Sequence, residues 1–245
     1  MKQAVLITGS SSGLGLTLAR LFDRRGLEVI LTGRSKKKLE SAALSLSSEN
    51  EHHIFCGDLT KRPVLDKLFE TLKEKKLLPD VVIHNLGGKV SGDAHPLSED
   101  ALQRSMQLNL DVAVDINAYY LPKMLERGSG RIIHISSDAS LSGQSAPGYA
   151  AAKAAVNGYV KSTARFYAKH NIMICAILPG VFEHENSAWS KKKTTDPACY
   201  RNKVAMMPLL RFGDSAEMAS MILEVACSQS MMCAGSLIQL TGGAL

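Results

Sequence analysis

The feature that most constrains the fold is an alternation of short apolar runs with longer amphipathic segments along the whole chain. The segments between the runs carry apolar residues at helical spacing, as Leu14, Leu18, Leu21 and Phe22 do. Strands that are apolar on both faces and separated by helices predict an α/β fold, with a doubly wound parallel sheet and helices on both faces. The predicted strands are 4–8, 28–33, 52–56, 81–84, 131–136, 173–178 and 236–240.

The length of the chain, and a pattern that no repeat or low-complexity linker interrupts, predict one domain. A chain of 245 residues can bury most of its apolar surface in a single core. We therefore expect one domain over residues 1–245. The least regular stretch follows the sixth strand and contains Trp189, Pro197 and Pro208. We interpret it as a long loop that could include a short helix or two. Since long insertions in compact domains tend to be functional, we predict that this loop, at about 181–212, covers the substrate.

Composition argues against several other classes of protein. Apolar residues make up 45% of the chain and charged residues 21%, as in folded soluble proteins. The N-terminus is too short in apolar residues for a signal peptide, and no apolar run approaches the length of a membrane span. The net charge of +6 is no nucleic-acid signature, and the scattered cysteines lack metal-ligand spacing. We predict a cytoplasmic protein with no membrane, nucleic-acid or metal partner.

A glycine-rich stretch, TGSSSGLG, lies between the first predicted strand and the first predicted helix. Gly9, Gly13 and Gly15 allow a tight turn and a close approach of the backbone to a pyrophosphate. The N-terminus of the helix that follows supplies N–H donors and a positive dipole. The sequence therefore predicts a dinucleotide site here.

The end of the second strand indicates which dinucleotide is bound. An acidic residue there would accept the ribose 2′-hydroxyl of NAD, but the chain has Gly33 followed by Arg34. A guanidinium can form charge-assisted hydrogen bonds to a 2′-phosphate, which a carboxylate would repel. We predict NADP(H) as the cofactor. The alternative is that Arg34 is an ordinary surface residue.

Six motifs in order resemble the signature of the short-chain dehydrogenase/reductases, in the branch that includes the 3-oxoacyl-carrier-protein reductases. The resemblance covers nearly the whole chain and implies a Rossmann-type fold. The motifs are TGSSSGLG, HNLG (84–87), QLNL with Asn109, HISS (134–137), YAAAK (149–153) and LPG (178–180).

The resemblance implies a catalytic role for each of four residues. Tyr149 would be the general acid that protonates a carbonyl oxygen, or the base in the reverse reaction. Lys153, four positions along the same helical face, would lower the pKa of that tyrosine and hold the nicotinamide ribose. A serine at the end of the fifth strand would hydrogen-bond the substrate oxygen. Asn109 would support a proton relay to Lys153, unless it is a plain polar residue of a helix.

The identity of the serine is open to two interpretations. The usual family spacing counts back from Tyr149 to Ser136, whereas the strand pattern RIIHISS aligns Ser137 with the catalytic position. Neighbouring strand residues point to opposite faces, so only one of the two can serve. We choose Ser137 and interpret the loop before Tyr149 as one residue shorter than usual.

The chain departs from the family pattern at the cofactor as well. Leu86 replaces an alanine, Ser12 stands where many relatives have a basic residue, and no threonine follows Gly180 closely. We interpret His84 as a strand-packing residue. Asp58 fits the position that contacts adenine, although it could equally cap a helix. The predicted cofactor-binding residues are Gly9, Ser11, Ser12, Gly13, Leu14, Gly15, Arg34, Ser35, Asp58, Leu59, Asn85, Gly87, Tyr149, Lys153, Pro179, Gly180 and Val181.

The function that the resemblance implies is hydride transfer between NADP(H) and a carbonyl/alcohol pair. A 3-oxoacyl thioester, free or bound to a carrier protein, is the best substrate prediction, and a sugar, polyol or steroid is the alternative. A rival from another class is a non-catalytic NADP(H)-binding sensor, which would have no chemical reason to retain the Asn-Ser-Tyr-Lys set. The family also implies a homodimer or a homotetramer.

Overall fold

The computed structural model describes residues 3–47, 49–185 and 187–244. Within these residues, seven parallel strands form one sheet in the order β3-β2-β1-β4-β5-β6-β9. The order reverses between β1 and β4, which is the switch point where such sheets bind ligands at the carboxyl ends of their strands. The strands are β1 Ala4–Ile7, β2 Glu28–Gly33, β3 His52–Cys56, β4 Val81–His84, β5 Gly130–Ile135, β6 Ile172–Pro179, β7 Phe182–Glu183, β8 Gly213–Asp214 and β9 Leu237–Leu240.

Helices cover both faces of this sheet, and the predicted α/β doubly wound fold is confirmed. One irregular element interrupts the helix pair α4 and α5, where Gln107–Asp111 forms a π-helical turn. The helices are α1 Gly13–Arg24, α2 Lys36–Ala43, α3 Arg62–Glu74, α4 Glu99–Met106, α5 Val112–Arg127, α6 Ala139–Ser142, α7 Pro147–Tyr167, α8 Ala188–Thr195, α9 Pro197–Ala205 and α10 Ser215–Cys227.

Two apolar cores lie on opposite faces of the sheet because successive residues of a strand point to opposite sides. On one face, Ile7 of β1 packs with Leu18 and Phe22 of α1, all fully buried. On the other face, Leu6 packs with Ile116 of α5. Each such side chain contributes about 1.5–3 kcal/mol when it leaves water. The two layers therefore fix the carboxyl ends of β1, β4 and β5 relative to one another.

The segment after β6, interpreted from the sequence as a loop that could include a short helix or two, is largely helical. It contains the helices α8 and α9, framed by the short parallel pair β7 and β8. Trp189 and Tyr200 of these helices pack on the buried ring of Phe212, with ring centroids 5.1 and 5.3 Å from it. Asn186, which falls within the predicted loop, lies outside the described residues. The segment is therefore a small helical layer on an aromatic anchor.

No helix within the described part of the chain is long and apolar enough to cross a bilayer.

Candidate active site

A cavity of about 800 Å³ opens at the carboxyl ends of β1, β2, β4, β5 and β6. It brings together most of the residues predicted from the sequence. At one end lie the glycine-rich turn and Arg34, and at the other lie Tyr149 and Lys153. The predicted residues that line it are Gly9, Ser11, Ser12, Gly13, Leu14, Arg34, Asp58, Leu59, Asn85, Gly87, Ser137, Tyr149, Lys153, Pro179 and Gly180.

The turn between β1 and α1 has the backbone that its glycines predict. Gly9 and Gly13 adopt positive φ angles of 67° and 57°, which disfavour a side chain. Gly15 does not line the cavity but packs under the turn, where a Cβ would stand 2.5 Å from the carbonyl oxygen of Gly9. The turn is thus shaped so that backbone, and not side chains, faces the cavity at the N-terminus of α1.

Asn85 fixes this turn against β4. Its Nδ2 donates to the carbonyl oxygens of Thr8 and Gly9 at 3.1 and 3.0 Å. The hydroxyl of Thr8 in turn accepts hydrogen bonds from the backbone N–H groups of Asn85 and Leu86. The two loops on either side of the switch point are therefore held as one unit, and Leu86 is accommodated at the cavity wall.

Two cations surround Asp58 at the far end of the cavity. Burial alone would raise the pKa of its carboxyl, but hydrogen bonds from Thr60 and the charges of Arg34 and Lys61 outweigh it and lower that pKa. Asp58 accepts from the backbone and the hydroxyl of Thr60 at 3.1 and 2.8 Å, so it caps a turn ahead of α3. Among the described residues, the Arg34 guanidinium has no hydrogen-bond partner.

Tyr149 lies on α7 beside Ser137 and above Lys153. The Lys153 ammonium is 5.7 Å from the centre of the tyrosine ring. Burial raises the pKa of the Tyr149 hydroxyl, a hydrogen bond with Ser137 lowers it in part, and the charge of Asp138 raises it further. The net direction is upward. Burial thus sets the net direction, and the lowering of this pKa by Lys153 stays a prediction.

Burial also acts on the amine of Lys153. The side chain is only 4% exposed, and its Nζ donates to the carbonyl oxygen of Ile135 at 2.7 Å. Burial lowers the pKa of this amine from its ordinary value to about 8. The same burial that places the amine below the tyrosine thus disfavours its charged form.

The two serines at the end of β5 face different partners. Ser136 Oγ is 2.8 Å from Asn157 Oδ1 and 3.2 Å from the carbonyl oxygen of Lys153, so its hydroxyl is used inside the fold. Ser137 hydrogen-bonds Tyr149 and also lies 3.0 Å from Asp138 Oδ1. Ser137, the residue chosen from the strand pattern, is the one beside the tyrosine.

Asn109 sits in the π-helical turn, one layer below the cavity. Its Nδ2 donates to the carbonyl oxygens of Ser105 and Gly88, and its Oδ1 accepts from the backbone N–H of Gly88. A Cβ on Gly87 would stand 2.7 Å from Asn109 Oδ1 and 2.9 Å from Lys153 Nζ. The missing side chain at Gly87 therefore brings the asparagine and the lysine to the same small space.

Ser35 and Val181 lie outside the cavity. The Ser35 hydroxyl caps α2 by accepting from the backbone N–H of Lys38, and Val181 lines a separate apolar groove. The cavity also includes residues outside the predicted binding and catalytic set, although Gly33, Leu86 and Ser136 were considered from the sequence. His184 is one of them, since its ring is 3.2 Å from where a Cβ of Gly13 would be. The others are Thr32, Gly33, Gly57, Thr60, Lys61, Leu86, Gly88, Lys89, Val90, Arg104, Gln107, Leu108, Ile135, Ser136 and Phe182.

A buried pair of histidines lies behind the end of the cavity that holds Tyr149 and Lys153. The rings of His84 and His134 are 4.5 Å apart, and Asn117 bridges them with contacts of 2.8 and 3.3 Å. Burial lowers the pKa of His84 to about 4, although its hydrogen bond with Asn117 opposes the shift. The pKa of His134 is also lowered, by burial and by the charges of His84 and Lys153. Both rings are thus packed in neutral form.

Comparisons with known proteins agree with this geometry. The sequence profile of the short chain dehydrogenases matches residues 3–195. The chain belongs to the short-chain dehydrogenase family. Its members are oxidoreductases, and this chain is 30% identical to the 3-oxoacyl-acyl-carrier-protein reductase of Thermotoga maritima over 97% of its own length and 96% of the relative's.

Two solved structures show the same architecture. L-sorbose reductase from Gluconobacter frateurii, solved with NADPH and L-sorbose, has a TM-score of 0.91 at 26% identity and covers 100% of this chain and 97% of its own. A variant of actinorhodin polyketide ketoreductase with NADPH has a TM-score of 0.90 at 25% identity, with 99% and 97% covered. The fold of this chain is thus one that holds NADPH in related reductases.

Proposed function

We propose that this chain is an NADP(H)-dependent oxidoreductase that interconverts a carbonyl and a secondary alcohol, with Tyr149 as the general acid and base. The observation that carries the proposal is the convergence of Tyr149, Ser137 and Lys153 at one end of the cavity whose other end holds the glycine-rich turn and Arg34. The family resemblance supports a homodimer or homotetramer, and the scattered cysteines of the sequence support a cytoplasmic location.

The residues present fit a dinucleotide phosphate. The backbone of the turn at Gly9 and Gly13 would hold the pyrophosphate, because the positive φ angles leave N–H groups and no side chains facing it. Arg34, which is exposed and free of hydrogen bonds within the described chain, would bind the 2′-phosphate, and Asp58 and Leu59 would face the adenine. When bound, the nicotinamide supplies or accepts a hydride.

The chain's own residues manage the proton and the developing charge. Tyr149 gives its hydroxyl proton to the carbonyl oxygen during reduction and takes it back during oxidation. A raised pKa keeps the hydroxyl protonated at neutral pH, which suits a reductase. Ser137 donates a hydrogen bond to the same substrate oxygen and stabilises its negative charge. Lys153 returns a proton to Tyr149, and Asn109, which shares the space beside Gly87, supports the relay that reprotonates Lys153.

A 3-oxoacyl thioester is the substrate that we propose, free or bound to a carrier protein. The support is the relative from Thermotoga maritima that carries this activity in its name and matches almost the full length of the chain. A keto sugar is the second candidate, favoured by the likeness to a reductase solved with L-sorbose. The helical layer at 181–212 would cover either substrate, since Phe182 of this segment already lines the cavity.

The proposal is tested by NADPH oxidation with a panel that includes a 3-oxoacyl thioester, a ketose, a polyol ketone and a steroid ketone. Tyr149→Phe should abolish turnover of the accepted compound, because the proton donor is removed, while NADPH binding by fluorescence stays intact. Tyr167→Phe, on the same helix but away from the cavity, is the matched control and should keep full activity. NADPH binding without turnover of any compound dependent on Tyr149 would favour the non-catalytic sensor instead.

A further inference from the structure

The loop that follows β4 lines the cavity and is held at three points. Gly88 is held by Asn109, which bonds both its N–H and its carbonyl oxygen. The carbonyl oxygen of Ser91 accepts from Arg104 Nη2 at 3.0 Å. The third point is Asp93, whose carboxylate reaches the first turn of α7. The loop is therefore tied both to the π-helical turn and to the helix that carries the tyrosine.

The contacts of Asp93 are aimed at the backbone of the tyrosine itself. Its Oδ1 accepts from the N–H of Gly148 at 2.7 Å, and its Oδ2 accepts from the N–H of Tyr149 at 2.8 Å. The residue before the helix, Ala146, has no side chain that could cap it, and Pro147 begins the helix without an N–H group. The free N–H groups of a helix start need acceptors. Asp93, which lies 55 positions before Gly148 in the sequence, supplies these acceptors.

The packing around this carboxylate is close where it meets α4 and α7. The hydroxyl of Ser105, a fully buried residue, lies 3.3 Å from Asp93 Oδ2. A Cβ on Gly148 would stand 2.9 Å from both Asp93 Oδ1 and Ser105 Oγ. Such a contact would make the carboxylate or the hydroxyl shift, so a side chain at this position would push on Asp93. Ser105 also accepts from Asn109 through its carbonyl oxygen, which links Asp93 to the residue below Lys153.

We propose that Asp93 is a positioning residue that sets the place of Tyr149 over the substrate, by clamping the main chain of the tyrosine to the cavity loop. The inference rests on the proposed function, since it assigns the reaction to Tyr149. The carboxylate does not line the cavity, so it acts through the tyrosine and not on the substrate. Because misplacing a reacting group by about 1 Å can cost on the order of 100-fold in rate, the clamp matters for turnover more than for binding.

The test compares Asp93→Ala and Asp93→Asn in steady-state reduction with NADPH and the best compound of the panel. Asp93→Ala should lower kcat by about 10- to 100-fold and leave KM for NADPH within about twofold. Asp93→Asn keeps one acceptor oxygen and should recover part of kcat. Gly148→Ala, which pushes on the carboxylate from the other side, should reproduce the loss even if Asp93→Ala folds poorly.

Two control variants separate positioning from stability. Ser98→Ala removes the side-chain cap of the neighbouring helix α4, where Ser98 Oγ accepts from the N–H of Ala101. It should lower the Tm without changing kcat. Gly158→Ala places a methyl group on the same helix as Tyr149 where no atom lies within 4 Å, and it should keep full activity.

The outcomes distinguish the two proposals. If wild type turns over and Tyr149→Phe removes the activity while Asp93→Ala keeps the wild-type kcat, the positioning role is overturned alone. A fall in kcat for Asp93→Ala that is matched by Ser98→Ala at equal loss of Tm would also overturn it, because any destabilised helix would then have the same effect. Absence of turnover in wild type itself would overturn both proposals together.

Discussion

The two ends of the cavity are built in opposite ways. At the end of the cavity that we propose binds the cofactor, the groups that face the cavity are backbone groups of the glycine-rich turn and exposed charges such as Arg34. At the catalytic end, Lys153, Ser137 and Asn109 are buried, and their polar atoms hydrogen-bond to other parts of the fold. The groups of the first end, which we propose bind an anion, come from a local feature of the chain. The second end depends on contacts between distant segments.

The burial of polar groups at the catalytic end lowers the stability of the fold unless each group is hydrogen-bonded. Buried polar groups must be hydrogen-bonded, because leaving one without a partner costs about 1–3 kcal/mol. One polar atom of the histidine pair behind Lys153 already carries this cost, since His84 Nδ1 is buried and lacks a partner in the described structure. We therefore expect the catalytic end to limit stability in acid and the cofactor end to govern affinity.

The largest effect should come from acid titration of the buried histidines. The pKa of His84 is about 4 in the fold against 6.5 when exposed, so the unfolded chain binds a proton that the folded chain rejects. The stability that neutral His84 contributes is complete above pH 6.5 and is lost as the pH falls through 6.5 towards 4. Between pH 7.5 and pH 5 this group alone should remove about 2 kcal/mol from the free energy of unfolding.

The measurement is urea unfolding at pH 7.5 and pH 5 for wild type and His84→Asn. The variant should lose about 2 kcal/mol less than wild type over this interval, because asparagine does not titrate. His170→Asn, which changes an exposed histidine, is the matched control and should behave as wild type. Equal acid sensitivity of His84→Asn and wild type would show that the catalytic end does not set the acid limit.

The cofactor end is tested by Arg34→Ala. Loss of charge-assisted hydrogen bonds to a 2′-phosphate should raise KM for NADPH by about 10- to 100-fold and leave KM for NADH nearly unchanged. Because Arg34 is exposed, high salt should weaken NADPH binding in wild type more than in the variant. The measurement is kcat/KM with both cofactors at low and high ionic strength.

Lys73→Ala is the control for net charge, since Lys73 is an exposed cation at the end of α3 that does not line the cavity. It should leave both KM values unchanged. Equal efficiency with NADPH and NADH in wild type, with no response to Arg34→Ala, would show that this end of the cavity does not set the affinity for NADPH.

The fold could be predicted from the sequence because its signals are local. The apolar run 81–84 coincides with β4, which is buried on both faces, and the run 52–56 coincides with the edge strand β3, where only alternate residues are buried. The bounds of α8 and α9 could not be predicted because these helices bury none of their residues, so no apolar periodicity marks them. What holds them is the ring of Phe212, which follows the helices in the chain.

The site could be predicted only where a motif fixes its residues. The turn at Gly9 and the Tyr149–Lys153 pair are of this kind, and Ser137 lies beside the tyrosine as the strand pattern suggests. The net direction of the tyrosine pKa could not be predicted, because burial, which a sequence does not record, raises it and also lowers the pKa of Lys153. Asp93 was missed because the two N–H groups that it binds belong to a helix far along the chain.

The smallest effect that we predict concerns Asp138, next to Ser137. Its negative charge raises the pKa of Tyr149, after the larger contribution of burial, and its Oδ1 lies 3.0 Å from Ser137 Oγ. Asp138→Asn removes the charge while keeping an oxygen near Ser137. Because reduction needs the protonated tyrosine, the alkaline fall of kcat should move to lower pH in the variant, with kcat at pH 6 close to that of wild type. Asp66→Asn, a change of the same kind on the exposed face of α3, should leave the profile in place. A profile that does not move in Asp138→Asn would mean that local charge has no influence on Tyr149 and that burial alone sets its titration at the catalytic end.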